Sequence, residues 1–121
     1  VADRGYSVAY ETASQFFTKM ERARFERDEA CRQETEGALN ADLFILDDLG
    51  TEMSGQFTNV ALYSIVNDRL LAGKPTIIST NLTTEDISRR YTPQIASRLR
   101  GSYKRVPFVG DDIRIARNGG I

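Results

Sequence analysis

The chain has 121 residues, 40% of them hydrophobic and 27% charged, the size and composition of one ordinary globular domain. With 16 Lys and Arg against 17 Asp and Glu, its net charge of -1 excludes a protein-wide attraction to nucleic acid or membrane and leaves only local patches for such binding. One cysteine, Cys31, and no histidine exclude an internal disulfide and Cys–His catalysis, leave few candidate ligands for a zinc site, and make a reducing cytoplasm the simplest home. No apolar run approaches membrane-spanning length and no signal peptide is visible, so no membrane partner is expected.

In chain order, Ser7-Val8-Ala9-Tyr10 reads as a short strand. Thr12 then supplies a capping hydroxyl with Gln15 three residues on, the signature of a helix start. Ala13, Phe16, Phe17 and Met20 share one face of that helix, and Lys19, Arg22 and Arg24 the opposite one. A solvated charged face accounts for these cations before a binding role does. From Arg27 to Asn40 the polar, mixed-charge sequence suits a second short helix ending at Gly37 or Asn40.

Leu43-Phe44-Ile45-Leu46 is an apolar run without alternation, as expected of a strand buried on both faces of a parallel sheet, and it ends in Asp47-Asp48-Leu49-Gly50. Gly50 to Gly55 form a loop with Ser54 as candidate cap. Phe57, Ala61, Leu62, Ile65, Val66 and Leu70 then repeat at helical spacing until Gly73 and Pro75 stop the helix. Thr76 to Thr80 is the next strand, with Asn81 at its carboxyl end. Thr83 with Asp86 opens a short helix, and Thr92-Pro93 opens another that carries Ile95, Ala96 and Leu99 inward and displays Arg98 and Arg100. Gly101 ends it, Tyr103 to Val109 reads as a last strand, and Gly110 to Arg114 begins a further element.

Strands separated by helices imply crossovers and a mainly parallel, layered α/β sheet. Asp47, Asp48 and Asn81 are then expected at one sheet edge, the carboxyl edge where open α/β sheets bind ligands. The bland alternative is a pair of acids in a strand-to-helix loop. The chemical one is phosphoryl transfer, in which an acid at a strand end holds magnesium, its neighbour polarises a water and an amide orients it. A receiver-type phospho-acceptor pocket also uses paired acids, but it needs a lysine at a late strand end, where this chain has Asn81. Nothing matches a glycine-rich phosphate loop followed by Lys-Ser or Lys-Thr.

In order and spacing, LFILDDLGTE, TIISTNL, IASRLRGSY and VPFVGDDIR resemble the AAA+ ATPase domain of DnaC/DnaI-type helicase loaders, and much of the pattern is shared with IstB-like transposition ATPases. The resemblance spans Val8 to Arg114. It implies an α/β/α three-layer parallel sheet of the P-loop NTPase type, with ATP and Mg2+ as cofactors. It further implies Asp47 on magnesium, Asp48 in the position of the catalytic acidic residue, acting as base (where many AAA+ proteins carry glutamate), and Asn81 as sensor 1. Arg98 is the implied arginine finger, with Arg100 its competitor, and Arg114 the sensor-2 arginine. The implied partners are a replicative helicase, single-stranded DNA and further copies of the chain. Lys19, Arg22, Arg24 and the Met53–Phe57 loop are the DNA-contact candidates, although Phe57 suits the core better than a base platform. The phosphate-loop strand and helix are absent from the chain, which is therefore expected to be the carboxyl-terminal part of one AAA+ domain. The missing strand belongs between the TIIST strand and the last one, so a gap is expected there, covered by dimerisation or swapping. Without a phosphate loop this polypeptide is not expected to hydrolyse ATP, and a non-hydrolysing DNA-binding or oligomerisation fragment is the remaining reading.

Overall fold

The computed structural model of the protein describes residues 5–108 and 111–116. Five strands and five helices follow one another as β1 (Val8–Thr12), α1 (Ala13–Phe25), α2 (Glu29–Leu39), β2 (Leu43–Leu49), α3 (Gln56–Leu71), β3 (Thr76–Thr80), α4 (Thr84–Arg90), α5 (Pro93–Ser102), β4 (Tyr103–Phe108) and β5 (Asp111–Ala116). Helix starts follow local chemistry. The side chains of Thr12, Asp28, Thr83 and Thr92 each accept a backbone N–H of the first turn, and Thr83 and Asp86 form a reciprocal capping box. The exception is α3, which starts from Gly55 with no side-chain cap, so Ser54 does not fill the role its sequence position suggests.

The sheet order is β1-β2-β3-β5-β4. β1, β2 and β3 pair in parallel, whereas β5 pairs antiparallel with both β3 and β4. β4 therefore runs in the same direction as β3, one strand further out, and β5 fills the place between them. That place is the gap expected from the resemblance, so among the described residues the sheet is continuous and the gap needs no second copy to cover it. Arg114, expected just beyond the last strand in a new element, instead stands on β5 opposite Ile78 of β3 and Arg105 of β4.

Sheet order also explains the layering. β1, β2 and β3 are added in one direction, and right-handed crossovers that never reverse direction put every helix on the same face. The buried residues bear this out: Phe44, Leu46 and Ile78 join Phe16, Phe17, Leu62, Ile65, Ile95 and Leu99 in one core. Phe16 and Phe44 meet with ring centroids 5.2 Å apart at its centre. On the other face Val8 and Tyr10 are exposed and Leu43, Ile45 and Ile77 only half-buried. Two expectations are corrected here. The described residues form two layers rather than three, and the central strand is buried on one face rather than both.

The opposite, amino-terminal edge of the sheet is held by a buried cation. The Arg69 guanidinium donates to the carbonyls of Leu39 (2.7 Å), Ala41 (2.9 Å) and Pro75 (2.8 Å) and to the Thr76 hydroxyl (2.7 Å), and it lies 5.5 Å from the centre of the Phe44 ring. One side chain at the end of α3 thus ties together the segments that enter β2 and β3. No helix among the described residues is long and apolar enough to cross a membrane.

Candidate functional site at the carboxyl edge

The carboxyl ends of β1, β2 and β3 share one edge because the three strands are parallel. Register decides which side chains meet there. Thr12 stands opposite Asp47, so Tyr10, two residues earlier on the same face, is its diagonal neighbour and within reach of a long side chain. On the other side the β2–β3 pairing slips between Leu46 and Leu49, a bulge that lets Ser79 face both acids. The Ser79 hydroxyl donates to the Asp47 carboxylate and accepts the Asp48 peptide N–H at 2.9 Å, while the Tyr10 hydroxyl donates to the second Asp47 oxygen. These two hydroxyls, Ser79 first, hold the Asp47 carboxyl below its ordinary value and so keep it ionised. The same bond pushes the Tyr10 phenol up.

Asp48 differs from its neighbour. Its φ of 57° lies in the left-handed region, which turns its side chain out of the sheet and leaves it exposed. Its carbonyl accepts the Thr51 hydroxyl at 2.8 Å and the Thr51 N–H at 3.2 Å, closing the turn. Gly50 follows with φ 110°, a backbone conformation that L side chains rarely adopt, and a Cβ there would also press on the Leu82 side chain, 2.9 Å from its Cδ1, so glycine suits the point where the β2 turn lies against the β3 turn. Thr80 adds a direct tie by donating to the Leu49 carbonyl at 2.6 Å.

Behind this rim sits an acid that the sequence did not single out. Glu52 is buried in the loop after β2, where it accepts the Gly50 N–H at 2.9 Å and the Tyr91 hydroxyl. Arg90 lies 3.8 Å from its carboxylate and donates to its carbonyl oxygen. Burial and the Glu52 bond push the Tyr91 phenol well above its ordinary value. The loop that leaves the aspartates is thereby fastened to the junction of α4 and α5.

Asn81 is exposed and follows β3 directly at the same edge as the aspartates. Arg98 is exposed on α5 and lines, with Tyr63 of α3 and Pro93, Gln94, Ser97 and Ser102, a shallow cavity of about 420 Å3. It makes no hydrogen bond or ion pair among the described residues and is not joined to the aspartates; Arg100 is exposed likewise. The basic face of α1 is broken, because Lys19 pairs with Glu11 (3.3 Å) and Glu34 (3.1 Å), which offsets its charge. Arg22 and Arg24 remain exposed. Phe57 is half-buried against the core and meets the exposed Phe25 edge-on with centroids 5.5 Å apart.

Among the described residues no three His, Cys, Asp or Glu side chains gather into a metal cage. One ionised carboxylate with a second acid beside it suits a different arrangement. Magnesium keeps several waters and takes one or two carboxylates, with substrate phosphates completing its shell. Asp47 and Asp48 fit that partial role and no larger one.

Ser79 and Tyr10 are the members of this rim that sequence reading passed over. Counting the alternation back from Asp47 across the parallel pairs places both on its face, so a register was the missing signal rather than a motif. No protein-family model matches the chain, and neither a curated protein nor a solved structure matches it.

Proposed function

We propose that the carboxyl edge of this sheet is the magnesium-and-water half of an ATPase site of the AAA+ helicase-loader type, in a protein that loads a replicative helicase onto single-stranded DNA. The observation that carries the reading is the coupling of Asp47, Asp48 and β3 through Ser79 at the carboxyl edge of three parallel strands. In this reading Asp47, kept ionised by two hydroxyls, holds a water of the metal shell. Asp48, turned out by its left-handed backbone, faces the attacking water and takes its proton. Asn81 orients that water from the neighbouring strand end. Arg98, on an outward face and unpaired among the described residues, serves a neighbouring copy rather than its own aspartates. Magnesium supplies charge neutralisation on the phosphates when bound.

The phosphates themselves need a cradle that these 121 residues do not encode. The test therefore has two arms. Mn2+–ATP added to the isotope-labelled chain is expected to broaden the amide resonances of residues 46–50 and 79–82 first, and Asp47→Asn is expected to abolish that selectivity. In a polypeptide that also carries a phosphate loop, Asp48→Asn is expected to abolish turnover and leave nucleotide binding intact. Uniform broadening in the first arm, or wild-type turnover in the second, overturns the assignment.

A further inference from the structure

Tyr10 stands on β1, the edge strand of the sheet, and projects from the open face. Its neighbour Ala9 packs against the core, whereas the Tyr10 side chain stays 59% exposed. A tyrosine so placed gains little from burial, and water is able to satisfy its hydroxyl. Tyr6 and Tyr63 are in that condition: both are exposed, and neither hydroxyl makes a hydrogen bond among the described residues. The Tyr10 hydroxyl instead crosses to β2 and donates to Asp47 Oδ2.

What that bond does is fix a torsion. The preference of an aspartate about its Cβ–Cγ bond is broad, so its own rotamer does not set the plane of its two oxygens. Ser79 on β3 donates to Asp47 Oδ1 and Tyr10 on β1 to Oδ2, one hydroxyl from each neighbouring strand. Held by Ser79 alone the carboxylate pivots about one contact; held by both, its plane is set. A carboxylate accepts at about four lone-pair sites, so two hydroxyls leave places on it for a metal-bound water or a cation. Ser79 has a second duty, accepting the Asp48 N–H at 2.9 Å, so its removal disturbs the turn as well. Tyr10 makes no second side-chain hydrogen bond among the described residues and is the separable half of the pair.

We propose that Tyr10 is a positioning residue of the metal site, holding the Asp47 carboxylate in the plane that presents its free lone pairs to a hydrated divalent cation at the carboxyl edge. This role rests on the reading of Asp47 as the acid that holds the metal shell, and Tyr10 itself touches no metal in it. Hydrogen-bond partners of a metal-binding carboxylate orient it, and losing one weakens the metal's hold. The probe is Mn2+ alone, without nucleotide, titrated into the isotope-labelled chain while broadening of the amides of residues 46–50 and 79–82 is followed. Tyr10→Phe removes one hydroxyl from an exposed ring. It is expected to raise the Mn2+ concentration for half-broadening about tenfold or more, with the urea midpoint and the metal-free amide spectrum beyond β1 and the rim unchanged. Tyr6→Phe, the same change at a hydroxyl that Asp47 does not use, is expected to match the wild type. A wild-type Mn2+ response in Tyr10→Phe overturns the proposal and leaves the Asp47 reading standing. So does tighter binding, the result if the phenol only competes with the cation. A weaker response accompanied by a lower urea midpoint and amide shifts across the sheet assigns Tyr10 to the fold and overturns it too. No selective broadening in the wild type overturns both this role and the Asp47 reading.

Discussion

Arg69 is the residue whose removal the structure converts most directly into a number. It is 2% exposed, it forms no ion pair among the described residues, and burial pulls its pKa below the usual arginine value. Its stabilising work is done by hydrogen bonds to three carbonyls and one hydroxyl. In Arg69→Met the stem volume is kept. Pro75 O retains the Phe44 N–H at 3.2 Å and the Thr76 hydroxyl retains the Lys74 carbonyl at 3.3 Å. The carbonyls of Leu39 and Ala41 lose their guanidinium partner, and a buried unpaired acceptor costs about 1–3 kcal/mol. Part of that cost is offset because the cation no longer has to be desolvated, which leaves a net loss of about 3 kcal/mol. For a domain of this size that is a fall in Tm of about 10 °C, and a large share of the few kcal/mol that keep it folded. Arg69→Lys should fall between the two, since an ammonium cannot reach carbonyls on three segments at once. The measurement is urea unfolding followed by circular dichroism, with Arg32→Met as reference. Arg32 pairs with Glu29 and Glu36 on the surface, and its loss should cost under about 1 kcal/mol. An Arg69→Met protein as stable as Arg32→Met would refute the view that one cation closes this edge of the sheet.

Acid should weaken the fold through carboxylates held below their ordinary values: Asp28 by the Cys31 backbone N–H, Glu29 by Arg32, Asp47 by Ser79 and Asp86 by Arg89. Each has a folded value below its unfolded one, so its contribution is complete above the unfolded value of about 4 and is lost as pH falls through the folded value. Urea midpoints that decline below about pH 4 are the expected result, with a shallower decline in Ser79→Ala; midpoints that do not move with acid contradict it. The buried contact between Glu52 and Tyr91 predicts coupling: Glu52→Gln and Tyr91→Phe should each cost about 1–3 kcal/mol, and the double variant clearly less than their sum. Strict additivity in that cycle would mean that the two side chains do not act as a unit.

How much of this was legible in the sequence depends on the range of the interaction that decides each feature. Helix starts at Thr12, Thr83 and Thr92 were readable, because a capping bond spans only three residues. The strand beside Asp47 and the helix over 56–71 were readable from local apolar spacing. Which face of the sheet the helices cover was not, since it follows from the order in which strands are added. The strand at 111–116 was missed because its place in the sheet is set by pairing with Ile77 to Thr80, far away in sequence. Arg69 carries no sequence signal at all: an arginine late in an amphipathic helix looks solvated until the segments around it are in place. Lys19 shows the converse error, a cation on a polar face that is engaged by two acids from β1 and α2.

The two aspartates at the rim, adjacent in sequence, stand in opposite relation to the fold. The Asp47 carboxylate is built into it, bound by hydroxyls from both neighbouring strands, so a change there alters sheet pairing and chemistry together. At Asp48 the fold uses the backbone: the N–H goes to Ser79, the carbonyl to Thr51, and the left-handed φ is one that Asp, Asn and Gly tolerate best. The backbone therefore explains why position 48 is not a branched or bulky residue, but it makes no demand for a negative charge, and the exposed carboxylate is spent on nothing in the turn. Asparagine keeps everything the turn requires and removes only the carboxylate. A loss on that substitution belongs to chemistry, whereas a loss at Asp47 never separates so cleanly.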